Sequence, residues 1–185
     1  GWENQNMGNL SIGCTEVNHT LYVDDDGTDN GVGQINDPLN DIQNGLDQLF
    51  MNDTLYIYNG DYYLEYGLSH QPAVVLGEDS SQTKIFYEAT NGWAIINLSD
   101  DTYNDNMYEY KNLRFELSTA TSGYAGINAH YTDAKFSQCQ FFGFNDYARL
   151  FQSHENNLIL EECFFDTETQ TMVWGQMTSS LEFRR

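Results

Sequence analysis

The sequence predicts an all-β protein in which short strands stack in repeating coils, with one α-helix near the N-terminus. Three observations predict this fold class. One segment has a helical period, many short segments alternate between apolar and polar residues, and one pattern recurs at intervals of 24 and 26 residues. The 185 residues are enough for one domain with a substantial core.

The N-terminal region is expected to contain an arm, a strand and a loop. Residues 1–20 are polar and irregular, so they are interpreted as an arm that precedes a single domain over residues 21–185. Leu21–Val23 predicts a short strand. The following residues, 24–33, are rich in Asp, Asn and Gly and predict a loop.

One helix is predicted at about residues 38–50. Asn36 or Asp37 can cap it, and Pro38 suits the first helical position. The apolar residues that follow at helical spacing are Leu39, Ile42, Leu46, Leu49 and Phe50. This apolar stripe needs a core to cover.

After the helix the period of the sequence changes to two, which predicts strands. Each apolar segment is bounded by Gly, Asn, Asp or Ser. The clearest segments are Thr54–Tyr58, Ala73–Leu76, Ile85–Tyr87 and Ala94–Ile96.

The repeat consists of three segments that align without gaps: Asn112–Phe115, Gln138–Phe141 and Glu162–Phe165. Strands that stack are about 4.8 Å apart, so equivalent side chains of successive coils should form inward ladders. The two predicted ladders are Leu113, Cys139, Cys163 and Phe115, Phe141, Phe165.

These features resemble the pectate-lyase-like (pectin-lyase-fold) right-handed parallel β-helix proteins. The resemblance rests on Asp26-Gly27-Thr28-Asp29, residues 38–50, Asp53–Ile57, Gly60-Asp61-Tyr62, Leu76-Gly77-Glu78 and Thr83-Lys84-Ile85. Together with the later coils it covers about residues 21–170. It implies a right-handed parallel β-helix in which the N-terminal α-helix caps the open apolar end of the first coil.

The charge of the chain restricts its partners. There are 28 Asp and Glu residues against 7 Lys and Arg, a net charge of −21. This balance predicts that the chain binds no nucleic acid or anionic membrane, because both require basic residues. No apolar run approaches the roughly 20 residues that span a bilayer, so no membrane insertion is expected.

The same charge favours cations, and calcium is the expected ion. Asp24, Asp26 and Asp29 resemble a calcium loop, because they place oxygen ligands on a turn that contains Gly. The EF-hand spacing is not met, and Asp and Gly also suit this turn for backbone reasons.

No catalytic residue is predicted. The resemblance implies two kinds of enzyme: lyases that use Arg or Lys with calcium, and hydrolases that use paired carboxylates. The basic candidates are Lys84, Lys111, Arg114, Lys135 and Arg149, none of which lies in a recognisable lyase motif. The acidic candidates are Asp133, Asp146, Glu161, Glu162 and Asp166, which an acidic composition alone would supply.

The cysteines and sequons suggest two kinds of modification. Cys139 and Cys163 occupy the same ladder position, where either a disulfide or stacked free thiols can form. Cys14 is then left over. N-glycosylation sequons occur at Asn9, Asn18, Asn52 and Asn97, about as many as chance predicts.

The C-terminal region lacks a second capping helix. Met172–Trp174 and Leu181–Phe183 are interpreted as a last coil. The final strands close this end, the natural chain continues, or another subunit stacks there. The last alternative predicts self-association through the ends of the β-helix.

The function expected from the sequence is that of an extracellular or cell-surface β-helix protein without enzymatic activity, with a structural, adhesion or filament-forming role. The alternative is a carbohydrate-active enzyme (a polysaccharide lyase or glycoside hydrolase) or a glycan-binding module. Glycans are expected partners because outward aromatic side chains, such as Tyr56, Tyr58, Tyr62 and Tyr63, can stack on sugar rings.

Overall fold

The computed structural model describes residues 18–89, 94–99, 107–120, 125–143, 149–154, 157–166, 173–176 and 180–185. The described part is nearly all β, with parallel sheets, and contains one α-helix, as the sequence predicts. The predicted N-terminal arm lies almost entirely outside the described residues, together with Asn9 and Cys14. No helix of the described part is long and apolar enough to cross a membrane.

The strands form three sheets, and every pair of neighbouring strands is parallel. The first sheet contains β1 (Thr20–Thr28), β2 (Thr54–Ile57), β4 (Val74–Gly77), β7 (Met107–Lys111), β10 (Asp133–Ser137), β13 (Asn157–Glu161) and β16 (Ser180–Arg184). The second contains β3 (Gly60–Leu64), β5 (Thr83–Ala89), β8 (Arg114–Ala120), β11 (Gln140–Phe142) and β14 (Phe164–Asp166). The third contains β6 (Ile96–Ser99), β9 (Ala125–His130), β12 (Arg149–His154) and β15 (Val173–Gln176).

Along the chain the strands enter the first, second and third sheets in rotation. From β4 onwards each group of three consecutive strands supplies one strand to each sheet. In the earlier group, β2 and β3 enter the first two sheets, and Leu68 forms a parallel bridge to Ile96 of the third. One such passage through the three sheets is called a round below.

The predicted ladder of phenylalanines is confirmed. Phe141 of β11 pairs with Phe115 of β8 on one side and with Phe165 of β14 on the other. Its ring stacks on both neighbours, with centroids 5.5 Å and 5.2 Å apart. Because side chains alternate between the two faces of a strand, this register places all three rings on the inner face.

The turn between the first and second sheets has the same backbone conformation in three successive rounds. Asn112, Gln138 and Glu162 have φ angles of 55°, 54° and 52°. The Gln138 amide N–H donates to the carbonyl of Glu161 in the next round at 2.8 Å. The left-handed conformation costs free energy for residues other than glycine, so each turn relies on hydrogen bonds to its neighbours.

The helix α1 (Ile42–Asp47) is shorter than the predicted 38–50. Asp41, rather than Asn36 or Asp37, is its N-cap, and its carboxylate accepts from the Asn44 amide at 2.6 Å. The helix begins late because the residues before it pair with β1. The Thr28 amide donates to the Pro38 carbonyl at 3.3 Å, and Leu39 bridges β1.

The helix covers the core beside β1 and β2. Ile42 and Leu46 are buried with Val23 and Leu55 in one apolar cluster. Gly45 permits the close approach, because a Cβ atom there would lie 2.7 Å from Cδ1 of Leu55. The helix therefore takes the covering position that its apolar stripe requires.

Strand β1 differs from the sequence-based expectation. It runs from Thr20 to Thr28 and includes the acidic segment that was expected to be a loop. The cause is the backbone pairing with residues 38–39. Gly27 is needed for that contact, since a Cβ atom there would lie 2.5 Å from the Leu39 carbonyl oxygen.

Candidate binding face on the second sheet

The outer face of the second sheet carries an unusual set of aromatic side chains. Tyr63 of β3 is 77% exposed and stacks on Phe86 of β5, with ring centroids 4.9 Å apart and planes at 13°. Phe164 of β14 is 55% exposed and lies 5.6 Å from Phe142 of β11. These four residues are called the aromatic face below.

Strand register explains how distant residues meet on this face. Tyr63 pairs with Phe86, Phe86 with Glu116, and Glu116 with Phe142. Phe86 and Phe142 are therefore separated by two strand steps, a distance of about 10 Å. The two aromatic pairs therefore lie on the same outer face, on either side of β8.

Two ion pairs lie among these rings. Lys84 Nζ is 3.2 Å from Asp61 Oδ1, and Arg114 Nε is 2.5 Å from Glu116 Oε1. The Arg114 guanidinium also lies over the Phe142 ring, 3.8 Å from its centroid. Lys84 and Arg114 are thus each paired with a carboxylate, and the face combines apolar rings with polar groups that can bond hydroxyl groups.

A separate feature is a polar groove of about 280 Å³ on the first sheet. It is lined by Glu109, Tyr110, Lys111, Lys135, Ser137, Gln138, Glu161 and Glu162. Lys135 Nζ lies 2.9 Å from Glu161 Oε2. Hydrogen bonds from Lys135 and then Ser137 lower the pKa of Glu161.

Glu161 of the groove is not suited to the role of a general acid in glycoside hydrolysis. A general acid needs a raised pKa, whereas the pKa of Glu161 is lowered. The neighbouring Glu162 carboxylate accepts a hydrogen bond from the side-chain nitrogen Nε2 of Gln138 at 2.9 Å. The Asp133 carboxylate accepts from the Asn157 backbone and side chain, and Asp146 lies outside the described residues.

The predicted basic candidates are not gathered into one site. Lys111 and Lys135 lie at the groove on the first sheet, whereas Lys84 and Arg114 lie on the outer face of the second. Arg149 begins β12 in the third sheet, and its side chain is outside the described part. The structure thus spreads these residues over three sheets.

The calcium ligands expected at Asp24, Asp26 and Asp29 lie in strand β1 and in the turn that follows it. No group of three or more His, Cys, Asp or Glu side chains among the described residues is arranged to hold a metal ion. Asp24 and Asp26 lie in β1, where alternate residues are separated by about 6.6 Å. The Asp29 carboxylate instead accepts a hydrogen bond from the Asn40 side chain.

The two described cysteines are free thiols at equivalent positions of neighbouring rounds. Cys139 is fully buried and Cys163 is partly exposed. The Phe164 amide donates to the Cys139 carbonyl at 2.9 Å, as the Gln140 amide does to Leu113 at 2.8 Å. The ladder predicted from Leu113, Cys139 and Cys163 is therefore confirmed.

The sequon asparagines have different environments. Asn18 and Asn52 are exposed, and Asn52 has a φ of 68°. Asn97 lies in β6 and is partly buried, and its side-chain oxygen accepts from Asn128 at 2.8 Å. Exposure favours Asn18 and Asn52 as acceptor sites, because glycans require accessible chain.

The sequence did not indicate the importance of His70. Its Nε2 is 2.5 Å from the Tyr110 hydroxyl and its Nδ1 is 2.5 Å from the Gln71 carbonyl. Burial lowers the pKa of His70 to about 4. The pairing joins the segment before β4 to the core strand β7, a contact that no local sequence pattern encodes.

Comparison of the chain with family models, with curated proteins and with solved structures found no match.

Proposed function

We propose that the chain is a right-handed parallel β-helix of the pectate-lyase-like kind. The rotation of strands among three parallel sheets supports this architecture, because a coiled chain returns to the same sheet once per turn. The stacked phenylalanines and the three equivalent turns support it as well. The helix beside β1 and β2 then caps one end of the coil.

We further propose that this β-helix works outside the cell or at its surface as an adhesion protein that binds neutral glycans. The observation that carries this proposal is the aromatic face, with two ring pairs about 10 Å apart, each of which contains one exposed ring. Rings of this kind stack on the apolar faces of sugars. The paired charges between them supply donors and acceptors for hydroxyl groups without favouring a charged ligand.

Neutral glycans are preferred over acidic ones because of the overall charge. The chain carries a net charge of −21, and Lys84 and Arg114 of this face are already paired with carboxylates. A polyanion would be repelled at low ionic strength. The ligand class is therefore a neutral oligosaccharide of two or more residues.

The test is calorimetric titration with neutral hexaoses (glucan, mannan and xylan), with oligogalacturonate as the acidic comparison. Tyr63→Ala and Phe164→Ala should each weaken binding of a neutral hexaose about 3- to 10-fold. Phe50→Ala is the control, because Phe50 is 74% exposed but lies between the helix and β2. Equal affinities of all three variants and the unmodified chain would contradict the proposal.

The same oligosaccharides distinguish a glycan-binding protein from the alternative, a carbohydrate-active enzyme. Incubation of each oligosaccharide with the chain, with and without calcium, should release no shorter or unsaturated sugars if the protein only binds. If the chain cleaves an oligosaccharide, and cleavage persists in Tyr63→Ala but is lost in a groove variant such as Glu162→Gln, the functional site is the groove on the first sheet.

A second proposal is self-association through β16. Leu181 and Phe183 are in register with the buried core residues Leu158 and Leu160 of β13, yet they are 43% and 59% exposed. Among the described strands β16 is the last of the first sheet, so this edge presents side chains that are in register with the core. We propose a second copy of the chain as the partner.

The sequence of β16 suits pairing with itself. In an antiparallel pair centred on Phe183, Glu182 of each copy faces Arg184 of the other, and the Phe183 rings meet on the inner face. Helix α1 covers the core at the other end, so this contact gives a closed two-fold dimer rather than the filament expected from open ends.

Light scattering over a range of concentrations tests the dimer. Phe183→Asp should shift the chain to monomer, and Tyr66→Asp, at a 70% exposed residue outside β16, should not. Long fibres in electron micrographs would show that the chain assembles head to tail and would contradict the dimer. A monomer at all concentrations would exclude both.

A further inference from the structure

The free thiols of Cys139 and Cys163 are placed to react with each other. They occupy equivalent positions in neighbouring rounds, each directly after a turn residue with positive φ, Gln138 and Glu162. Equivalent residues of neighbouring parallel strands are about 4.8 Å apart, which lies within the Cα separation of about 4.4–6.8 Å that a disulfide needs. A bond between them would therefore require little movement of the backbone.

The side chains themselves are in contact. A hydrogen bond between the two thiols contributes to the pKa shifts of both. Cys139 Sγ lies 3.4 Å from the Ser137 carbonyl oxygen, and Cys163 Sγ lies 3.3 Å from that of Phe136. Cys139 Sγ also lies 3.5 Å from the Tyr110 carbonyl oxygen, so each sulfur leans toward the round before its own, and the Cys163 side chain reaches the round that contains Cys139.

The two thiols differ in reactivity. The hydrogen bond from Cys139 lowers the pKa of Cys163, whereas burial raises the pKa of Cys139. Cys163 is also the more exposed of the two. Thiol–disulfide exchange proceeds through an accessible thiolate, so Cys163 is the thiol that meets an external disulfide first.

We propose that Cys139 and Cys163 form a reversible disulfide between neighbouring rounds by exchange with a small-molecule disulfide such as glutathione disulfide. The Cys163 thiolate attacks glutathione disulfide, forming a mixed disulfide and releasing one glutathione thiolate. The Cys139 thiol loses its proton and attacks the Cys163 sulfur of that mixed disulfide, which releases the second glutathione thiolate. In total, the protein dithiol loses two electrons and two protons, and one glutathione disulfide becomes two glutathione molecules.

The bond would fasten the round of β13 and β14 to the round of β10 and β11. The present contacts between these rounds are backbone ladders, ring stacking and polar side-chain contacts such as that of Lys135 with Glu161, and both thiols are free. A covalent link that closes a loop of this length restricts the unfolded chain. The oxidised protein should accordingly melt about 5–10 °C higher than the reduced protein. This inference does not depend on glycan binding.

The experiment uses the full chain with Cys14→Ser, so that only the two thiols under test remain. The reduced protein is incubated with glutathione disulfide and analysed by intact mass and peptide mapping. The expected product has lost two hydrogen atoms and yields a peptide linked through Cys139 and Cys163. Thermal melting should then show the upward shift, and a reducing agent should reverse it.

Single variants test the order of attack. With Cys139→Ala, a stable mixed disulfide with glutathione should accumulate at Cys163. With Cys163→Ala, Cys139 should stay reduced in the folded protein, because it is fully buried. Rapid glutathionylation of Cys139, or a native protein that retains both thiols after prolonged exposure, would overturn the proposal. An oxidised form that melts no higher than the reduced form would overturn it too.

Discussion

Replacement of Phe141 by Ala should be among the most destabilising single changes in the described part of the chain. The side chain is fully buried and stacks on Phe115 and Phe165, with centroids 5.5 Å and 5.2 Å away. Its edge contacts with Phe136 and Phe151 have centroid distances of 5.8 Å and 5.4 Å. Truncation of a buried Phe to Ala costs about 3–5 kcal/mol. The four ring contacts place this site at the upper end, about 5 kcal/mol.

The adjacent residue provides the matched control. Phe142 points to the outer face and contacts the Arg114 guanidinium, so Phe142→Ala should cost about 1 kcal/mol. Urea unfolding measures both losses. With a slope of about 2 kcal/mol per M, the midpoint should fall by about 2.5 M for Phe141→Ala and by about 0.5 M for Phe142→Ala.

A milder variant covers the case in which Phe141→Ala does not fold. Phe141→Leu keeps most of the apolar volume and should cost about 1–2 kcal/mol. Equal losses for Phe141→Ala and Phe142→Ala would refute the assignment of inner and outer faces. A loss below about 1.5 kcal/mol for Phe141→Ala would refute the continuous core.

Three further predictions concern a cap, a turn and a titrating group. Asp41→Ala removes the N-cap hydrogen bond and should lower the free energy of unfolding by about 1 kcal/mol in urea titration, with no change expected for Asp47→Ala beyond a few tenths. Gln138→Gly should be neutral or slightly stabilising, and Gln138→Val should destabilise by about 1–2 kcal/mol, because the turn needs a φ of 54°. Burial lowers the pKa of His70 from 6.5 to about 4, so the folded protein binds fewer protons than the unfolded chain between these values. Its contribution of about 3 kcal/mol is full above pH 6.5 and is lost as the pH falls toward 4. The difference in unfolding free energy between the unmodified chain and His70→Gln should shrink over that range, and a constant difference would show that His70 does not titrate differently on folding.

Local patterns predicted those parts of the fold that depend on local physics. Alternation and turn residues located the strands, and the repeat of Phe115, Phe141 and Phe165 gave both the register and the inner face. The position of the helix was predicted, but its start was not. Pairing of residues 38–39 with β1 is a contact between chain segments, and it removed Pro38 from the helix.

Local sequence patterns could not predict most of the aromatic face. Alternation indicates that Tyr63 and Phe164 point outward, but these residues are 101 positions apart in the sequence. Their placement on one face depends on the register of four successive strand pairs. The calcium site at Asp24, Asp26 and Asp29 stays a prediction, and the structure places Asp24 and Asp26 in strand β1 rather than in the expected loop.

The equivalence of the three turns at Asn112, Gln138 and Glu162 determines which changes of chain length the architecture tolerates. Removal of the residues from Cys139 to Glu162 would join Gln138 directly to Cys163. The new junction would still have a turn residue, Gln138, followed by the inward thiol of Cys163 and the inward ring of Phe165. Removal of one residue from a strand would instead exchange its inner and outer faces. We therefore expect insertions and deletions in related genes to come in whole rounds.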